Sequence, residues 1–132
     1  MRAARSARHL TLDAGALVAY DRDASGIREL IGRALAAGIE VTVPAGVLAQ
    51  VWRGGRRQAM LAALLKKDGV TVVDLTEPGA RASGELCGES GTRDVIDASV
   101  IVCARERRDA TVLTSDPADM RRLDPRLDVQ AV

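Results

Sequence analysis

Short runs of β-branched and aliphatic residues recur along this chain, and each is separated from the next by a segment with helical spacing. Residues 9–13, His-Leu-Thr-Leu-Asp, alternate and end on an acid. Residues 39–43 read Ile-Glu-Val-Thr-Val, 70–75 Val-Thr-Val-Val-Asp-Leu and 110–114 Ala-Thr-Val-Leu-Thr, and 127–132 is expected as an edge strand. The run at 70–75 is almost continuously apolar, as a buried parallel strand would be. Strands alternating with helices imply an α/β fold, a parallel sheet with helices on both faces.

The intervening segments carry their own signals. Residues 14–20 form a short helical turn. Ser25 is expected to cap a helix bearing Ile27, Leu30, Ile31, Ala34 and Leu35, which Gly38 ends. Pro44 suits the first position of a third helix, with Val47, Leu48, Val51 and Trp52 on one side and Trp52 in the core. Gly54 and Gly55 break that helix, and another follows over 58–67. Residues 77–87 are expected as a helix, 88–91 as a loop, and Thr92 as the cap of an apolar helix reaching about residue 107. Asp116-Pro117 opens the last helix.

Composition narrows the chemistry. The 132 residues suit a single domain over 1–132, large enough to bury one core without a staple. No apolar run approaches the roughly 20 residues of a membrane span; the longest, around 95–104, is broken by Asp97 and Ser99. Residues 1–8 are basic, with no signal-like apolar segment after them, which leads us to expect a cytoplasmic protein. Nineteen basic residues against eighteen acidic leave a net charge of +1, so no basic coat for nucleic acid exists. His9, Cys87 and Cys103 are the only histidine and cysteines, too few for a Cys/His zinc site, and His9 precedes the structural elements that would hold a nucleophilic triad. One Trp, one Tyr and no Phe leave the core to Ala, Val, Leu and Ile and give little for stacking several bases.

Aspartate is what remains in quantity. Ligands of parallel sheets bind at the carboxyl ends of the strands. Asp13 ends the first strand, and Asp116 stands just past the fourth, after Thr114 and Ser115. Asp94 and Asp97 lie in the first turns of the helix leading into the fourth strand and share a face. If the first and fourth strands are neighbours, all four acids converge. Simpler roles stay open: Asp13 and Asp116 as helix N-caps, Asp94 as a helix-start acid, and Asp119 as a partner of the macrodipole. Asp97 differs, because it sits among Val95, Ile96, Ala98, Val100, Ile101 and Val102 in a helix that reads as buried nearly all round. A buried carboxylate is costly unless paired or bound to a cation, and Arg93 is the only base at helical spacing from it. Crowding should also raise a pKa, with Asp97, as the most buried, the first candidate. An oxygen-only set of acids suits Mg²⁺ or Mn²⁺. A metal-bound water attacking a phosphodiester is the chemistry such a site serves.

These residues resemble a known family. Leu12-Asp13-Ala14, Val43-Pro44-Ala45, Asp97-Ala98-Ser99 and Thr114-Ser115-Asp116 are similar to the motifs of PIN domains, and size and spacing resemble the VapC toxin ribonucleases among them. The resemblance implies a five-stranded parallel sheet flanked by helices and Mg²⁺- or Mn²⁺-dependent cleavage of single-stranded RNA. It also implies a homodimer and a small antitoxin partner. It carries Asp13, Asp97 and Asp116 over as catalytic and metal-binding acids, Asp94 as an accessory one, and Thr114 as a hydroxyl orienting the site. One position departs: Gln50 stands where the family has a glutamate in the third helix. Glutamine keeps an oxygen ligand and drops a charge. A catalytically weak or inactive scaffold that binds RNA or a protein partner is therefore the alternative to a ribonuclease.

Arg53, Arg56 and Arg57 cluster around Gly54-Gly55, in a loop the glycines make mobile, and are expected either to hold RNA phosphates or to decorate a solvated loop. Other α/β phosphate enzymes fit less well. A haloacid-dehalogenase-like phosphatase needs an acid where Gly15 stands, and a receiver needs a late lysine, whereas Lys66 and Lys67 are the only lysines. No dinucleotide fingerprint or P-loop is present.

Overall fold

In a computed structural model, which describes residues 8–132, the chain folds as one five-stranded sheet between two layers of helices. Strand β1 (His9–Leu12) leads through α1 (Ala14–Asp21) and α2 (Ile27–Ala36) to β2 (Glu40–Pro44). Helix α3 (Ala45–Val51), a 3-10 turn (Arg56–Gln58) and α4 (Ala59–Leu65) lead on to β3 (Val70–Val73). Helices α5 (Glu77–Ser90) and α6 (Val95–Arg105) cross back to β4 (Ala110–Thr114), and α7 (Pro117–Leu123) precedes β5 (Asp128–Ala131).

The strands are parallel in the order β3-β2-β1-β4-β5. From β1 the chain winds outward to β2 and β3, and from β4 it winds the other way to β5. Strands β1 and β4, paired from His9↔Ala110 to Leu12↔Leu113, therefore flank the point where the winding reverses. Right-handed crossovers place α1 to α4 on one face and α5 to α7 on the other. The crevice at the carboxyl ends of β1 and β4 is the switch point, where open α/β sheets bind ligands.

The core is aliphatic, as the composition requires. Leu12, Leu17, Ile27, Ile31, Val41, Val43, Leu61, Leu64, Ile101 and Leu113 are fully buried. Thr11 and Thr42, buried on neighbouring strands, satisfy each other through a 3.1 Å hydroxyl–hydroxyl hydrogen bond. Cys87 and Cys103 are free and buried, and His9 Nδ1 lies 2.7 Å from the Arg108 carbonyl oxygen.

Several local expectations are corrected. Ser25 has φ 58° and makes no cap; Gly26, at φ 68°, precedes α2 instead. Pro44 closes β2 and caps α3 from outside rather than opening it. Residues 88–91 are not a loop: α5 runs to Ser90, and Gly91, at φ 71°, ends it with an N–H to the Cys87 carbonyl. Asp94, not Thr92, caps α6; Thr92 accepts the Asp94 N–H at 3.2 Å and shapes the approach. Strand β3 is half-exposed because it is an edge, and Leu75 beyond it is 51% exposed. Trp52 is outside the core. No helix among the described residues is long and apolar enough to cross a membrane.

Candidate active site

The switch point gathers the strand-end acids. Asp13 is 4% exposed. Its Oδ1 accepts the Ala16 N–H at 2.8 Å, capping α1, and its Oδ2 accepts the Thr114 hydroxyl. The capping role is thus real and uses only one of the two oxygens. Asp116, exposed, caps α7 by accepting the Asp119 N–H at 3.2 Å and donates its own N–H to Thr114 Oγ1 at 2.9 Å. Asp94, also exposed, caps α6 by accepting the Asp97 N–H at 3.0 Å.

Asp97 caps nothing. It is half-buried rather than enclosed, since Val95 beside it is 51% exposed, and Asp13 is the more buried acid. Its carboxyl is nevertheless pushed up to about 7, first by desolvation, then by the charge of Asp94 and a hydrogen bond with it, and then by the charges of Asp13 and Asp119. Asp13 is also raised, chiefly by burial, with the charge of Asp116 adding to it and the Thr114 and Ala16 hydrogen bonds opposing it. Acids from β1, α6 and α7 therefore act on one another through space. Asp119 is the residue that sequence spacing presents only as a helix-start acid. It lines a cleft of about 150 Å³ with Thr92, Asp94, Asp97 and Arg122, and Arg122 pairs with it at 3.1 Å. Only its position one turn after Asp116 hinted at this.

Two glycines let the elements close on the site. A Cβ on Gly15 would stand 1.8 Å from Ser115 Oγ, so the residue before Asp116 sits directly on the first turn of α1. A Cβ on Gly46 would stand 2.8 Å from Ile96 Cδ1, so α3 is seated against the first turn of α6, next to Asp97. Gln50, exposed, lies one turn further along the same side of α3. The Arg53–Arg57 segment is a loop through Gly55, as expected, and then enters the 3-10 turn at Arg56. Gln58, 9% exposed, accepts the N–H groups of Arg53 and Gly54 and closes it. The Arg53 guanidinium turns back to the carbonyls of Ala49 and Trp52, while Arg56 and Arg57 stay exposed.

Whether these acids suit a metal is a question of donors and disposition. The donors are all hard carboxylate oxygens, and burial first, then neighbouring acids, disfavour the ionised forms of Asp97 and Asp13, a cost that a cation would relieve. Among the described residues, no three His, Cys, Asp or Glu side chains stand ready to cage an ion by themselves. The set therefore fits a hydrated hard cation, as Mg²⁺ is usually bound, held by one or two carboxylates, with Asp13 and Asp97 the two acids whose ionised forms are disfavoured.

A doubly wound α/β domain with a histidine-free group of acids at and beside its switch point is the class of protein these features define. The family model for the PIN domain matches residues 10–124, and the chain belongs to that family, whose members are generally nucleases. No curated protein matches the chain. Among solved structures it is similar to a chain of VapBC2 from Rickettsia felis bound to a DNA fragment from their promoter, with TM-score 0.68, 16% identity, and 94% of this chain and 98% of that one covered. It is also similar to a chain of FitAB bound to an IR36 DNA fragment, with TM-score 0.60, 15% identity, and 92% and 94% covered. A third is FitAcB from Neisseria gonorrhoeae, with TM-score 0.60, 14% identity, and 91% and 95% covered. At these identities the likeness is one of fold.

Proposed function

We propose that this chain is a divalent-metal-dependent endoribonuclease that hydrolyses phosphodiester bonds of single-stranded RNA. We further propose that it is the cytoplasmic toxin of a toxin–antitoxin pair, acting as a homodimer and held by a small antitoxin. The observation that carries the reading is the raised carboxyl of Asp97, desolvated and set beside the charges of Asp94, Asp13 and Asp119, at the switch point of a PIN fold. The VapBC and FitAB structures support the antitoxin partner by likeness of fold alone.

Asp13 and Asp97 would hold Mg²⁺ or Mn²⁺, with Asp116 and Asp94 beside them. Bound there, the ion would supply charge neutralisation for the phosphate and acidify a water. The chain's own groups do the rest. Thr114 fixes the Asp13 carboxylate by donating to Oδ2. Asp97, raised to about 7 in the metal-free protein by burial and its acidic neighbours, would give up its proton as the ion binds. Gln50 offers a neutral oxygen from α3.

A second reading is a PIN scaffold that binds without cutting. Gln50 in place of an acid favours it, as does the lack of a ready three-acid cage among the described residues. Incubating a mixed RNA pool with the protein in Mg²⁺, Mn²⁺ or chelator, beside Asp97→Asn, separates them. Metal-dependent fragments lost in Asp97→Asn are expected; intact RNA in every condition sinks the enzyme.

A further inference from the structure

The segment joining α3 to α4 carries an exposed aromatic ring among arginines, and the acidic cleft does not use it. Trp52 directly follows α3 and leaves 39% of its surface in solvent. Large aromatic side chains are usually drawn inward. This one lies over Gly54, whose Cβ would stand 3.8 Å from the indole Nε1. The chain then passes through Gly54 and Gly55 at φ 78° and 87°, a backbone that side chains resist.

Gln58 holds this turn in shape. Its Oε1 accepts the N–H of Arg53 at 2.7 Å and of Gly54 at 2.9 Å, and its Nε2 donates to the Val51 carbonyl at 2.9 Å. One buried carboxamide thus ties the last carbonyl of α3 to the start of the turn. The guanidinium groups of Arg56 and Arg57 are exposed and make no ion pair among the described residues. Seven other arginines among the described residues are paired with acids; these two stand unpaired beside an exposed indole, with their charge open to a ligand.

We infer that Trp52, Arg56 and Arg57 form a nucleotide subsite for single-stranded RNA, with Gln58 as the positioning residue that presets it. The indole face stacks one base, and the two guanidinium groups take the flanking phosphates. Stacking on an aromatic ring beside a cationic track is how unpaired strands are held, and only unpaired bases offer a free face. Helix α3 connects the subsite to the acids. It starts against Ile96, runs seven residues or about 10 Å, and ends at Trp52, a length one RNA strand covers. The inference rests on the proposed RNA substrate and adds where the strand is gripped.

Trp52 is the only tryptophan of the chain, so its emission reads the subsite directly. The full-length Asp97→Asn protein is titrated with decaadenylate RNA in Mg²⁺, the RNA being checked by gel for integrity, while anisotropy of a labelled copy reads total binding. Quenching of Trp52 with the same midpoint as the anisotropy is expected. Trp52→Leu should weaken binding roughly tenfold, with Trp52→Phe between it and the parent. Replacing Arg56 and Arg57 together by Gln should flatten the salt dependence by about 1.4 in log–log slope. Gln58→Leu, which removes both the acceptor and the donor that hold the turn, should weaken binding and lower the extent of Trp52 quenching at saturating RNA, a change in the bound geometry that a merely less stable fold would not give. RNA binding seen by anisotropy, with silent Trp52 emission and full affinity in Trp52→Leu, overturns the subsite and leaves the ribonuclease reading standing. Quenching of Trp52 by a protein partner, with RNA leaving it unmoved, assigns the surface to docking and also overturns it. No RNA binding by any of these proteins removes both readings.

Discussion

The Thr114 hydroxyl joins the ends of two neighbouring strands: it donates to Asp13 Oδ2 and accepts the N–H of Asp116 at 2.9 Å. Each strand-end acid is thereby oriented by the same oxygen. The hydrogen bond also opposes the upward push that burial exerts on Asp13.

Thr114→Val removes that oxygen at nearly constant volume. Asp13 then loses a donor while buried, so the variant should be less stable by about 1–3 kcal/mol. The Asp13 carboxyl should rise further, moving the acid limb of the pH–rate profile for RNA cleavage to higher pH. Thr114→Ser should retain the parent profile. Urea unfolding and pH–rate measurements check both.

Gly15→Ala places a methyl 1.8 Å from Ser115 Oγ and 2.7 Å from its Cβ. The Ser115 backbone nitrogen stands 3.3 Å away, so rotating the side chain is not enough. The loop before Asp116 must retreat from α1, at about 1–3 kcal/mol, and cleavage should fall tenfold or more as Asp116 leaves register with Asp13. Adding Ser115→Gly should return part of both losses; a Gly15→Ala protein as stable and active as the parent would show the contact to be slack.

Asp97 makes metal-free stability depend on pH. Its folded value, about 7, lies above its ordinary 3.8, so folding favours the protonated form. Below about 4 it costs nothing. As pH rises toward 7 the unfolded chain releases its proton first, and stability falls until the penalty is complete above 7. Asp13 acts in the same direction. Asp97→Asn should flatten this fall and stabilise the metal-free protein at pH 8 by about 1–2 kcal/mol, the shift being discounted because the carboxyl is part-exposed. Millimolar Mg²⁺ or Mn²⁺ should raise the Tm of the parent at pH 8 more than at pH 5. Thermal melts across pH with and without metal test this, and an unmoved Tm argues against a cation at the cleft.

Gln50→Glu adds one charge on the side of α3 that faces α6. Two unit charges about 4 Å apart at an effective dielectric near 20 interact by about 4 kcal/mol. Repulsion from the other acids offsets part of this, so Mn²⁺ affinity should tighten about tenfold and cleavage should rise. Calorimetric metal titration beside RNA cleavage reads the effect. If neither changes, position 50 lies outside the site.

Much of the fold is legible in the residues alone. The β-branched runs locate all five strands to within a residue or two, because a parallel strand covered by helices must be apolar over its length. The motif acids Asp13, Asp97 and Asp116 follow from their places at strand ends and in the helix before β4. Local chemistry also marks Asp116-Pro117 as a helix start, which α7 bears out.

Other features depend on contacts between residues far apart in the chain. The run at 70–75 is as apolar as a central strand, yet the strand order leaves β3 at an edge, and no local pattern encodes that order. Trp52 reads as core from its place beside Val47, Leu48 and Val51, yet it follows the last residue of α3 and leaves 39% of its surface in solvent. Gln58 carries no signal of its own, since its partners are backbone atoms placed by the turn it closes.

The residues by themselves determined the element types, the aliphatic core and the oxygen-only character of the acids, because periodicity and side-chain chemistry are properties of the chain. Tertiary structure alone decided that β1 lies beside β4 and that Asp119 joins Asp94, Asp97 and Asp13. It alone set how far one carboxyl is pushed toward neutrality. Desolvation and Coulomb repulsion depend on distance through space, and that distance exists only after the winding of the sheet has brought separate strand ends together.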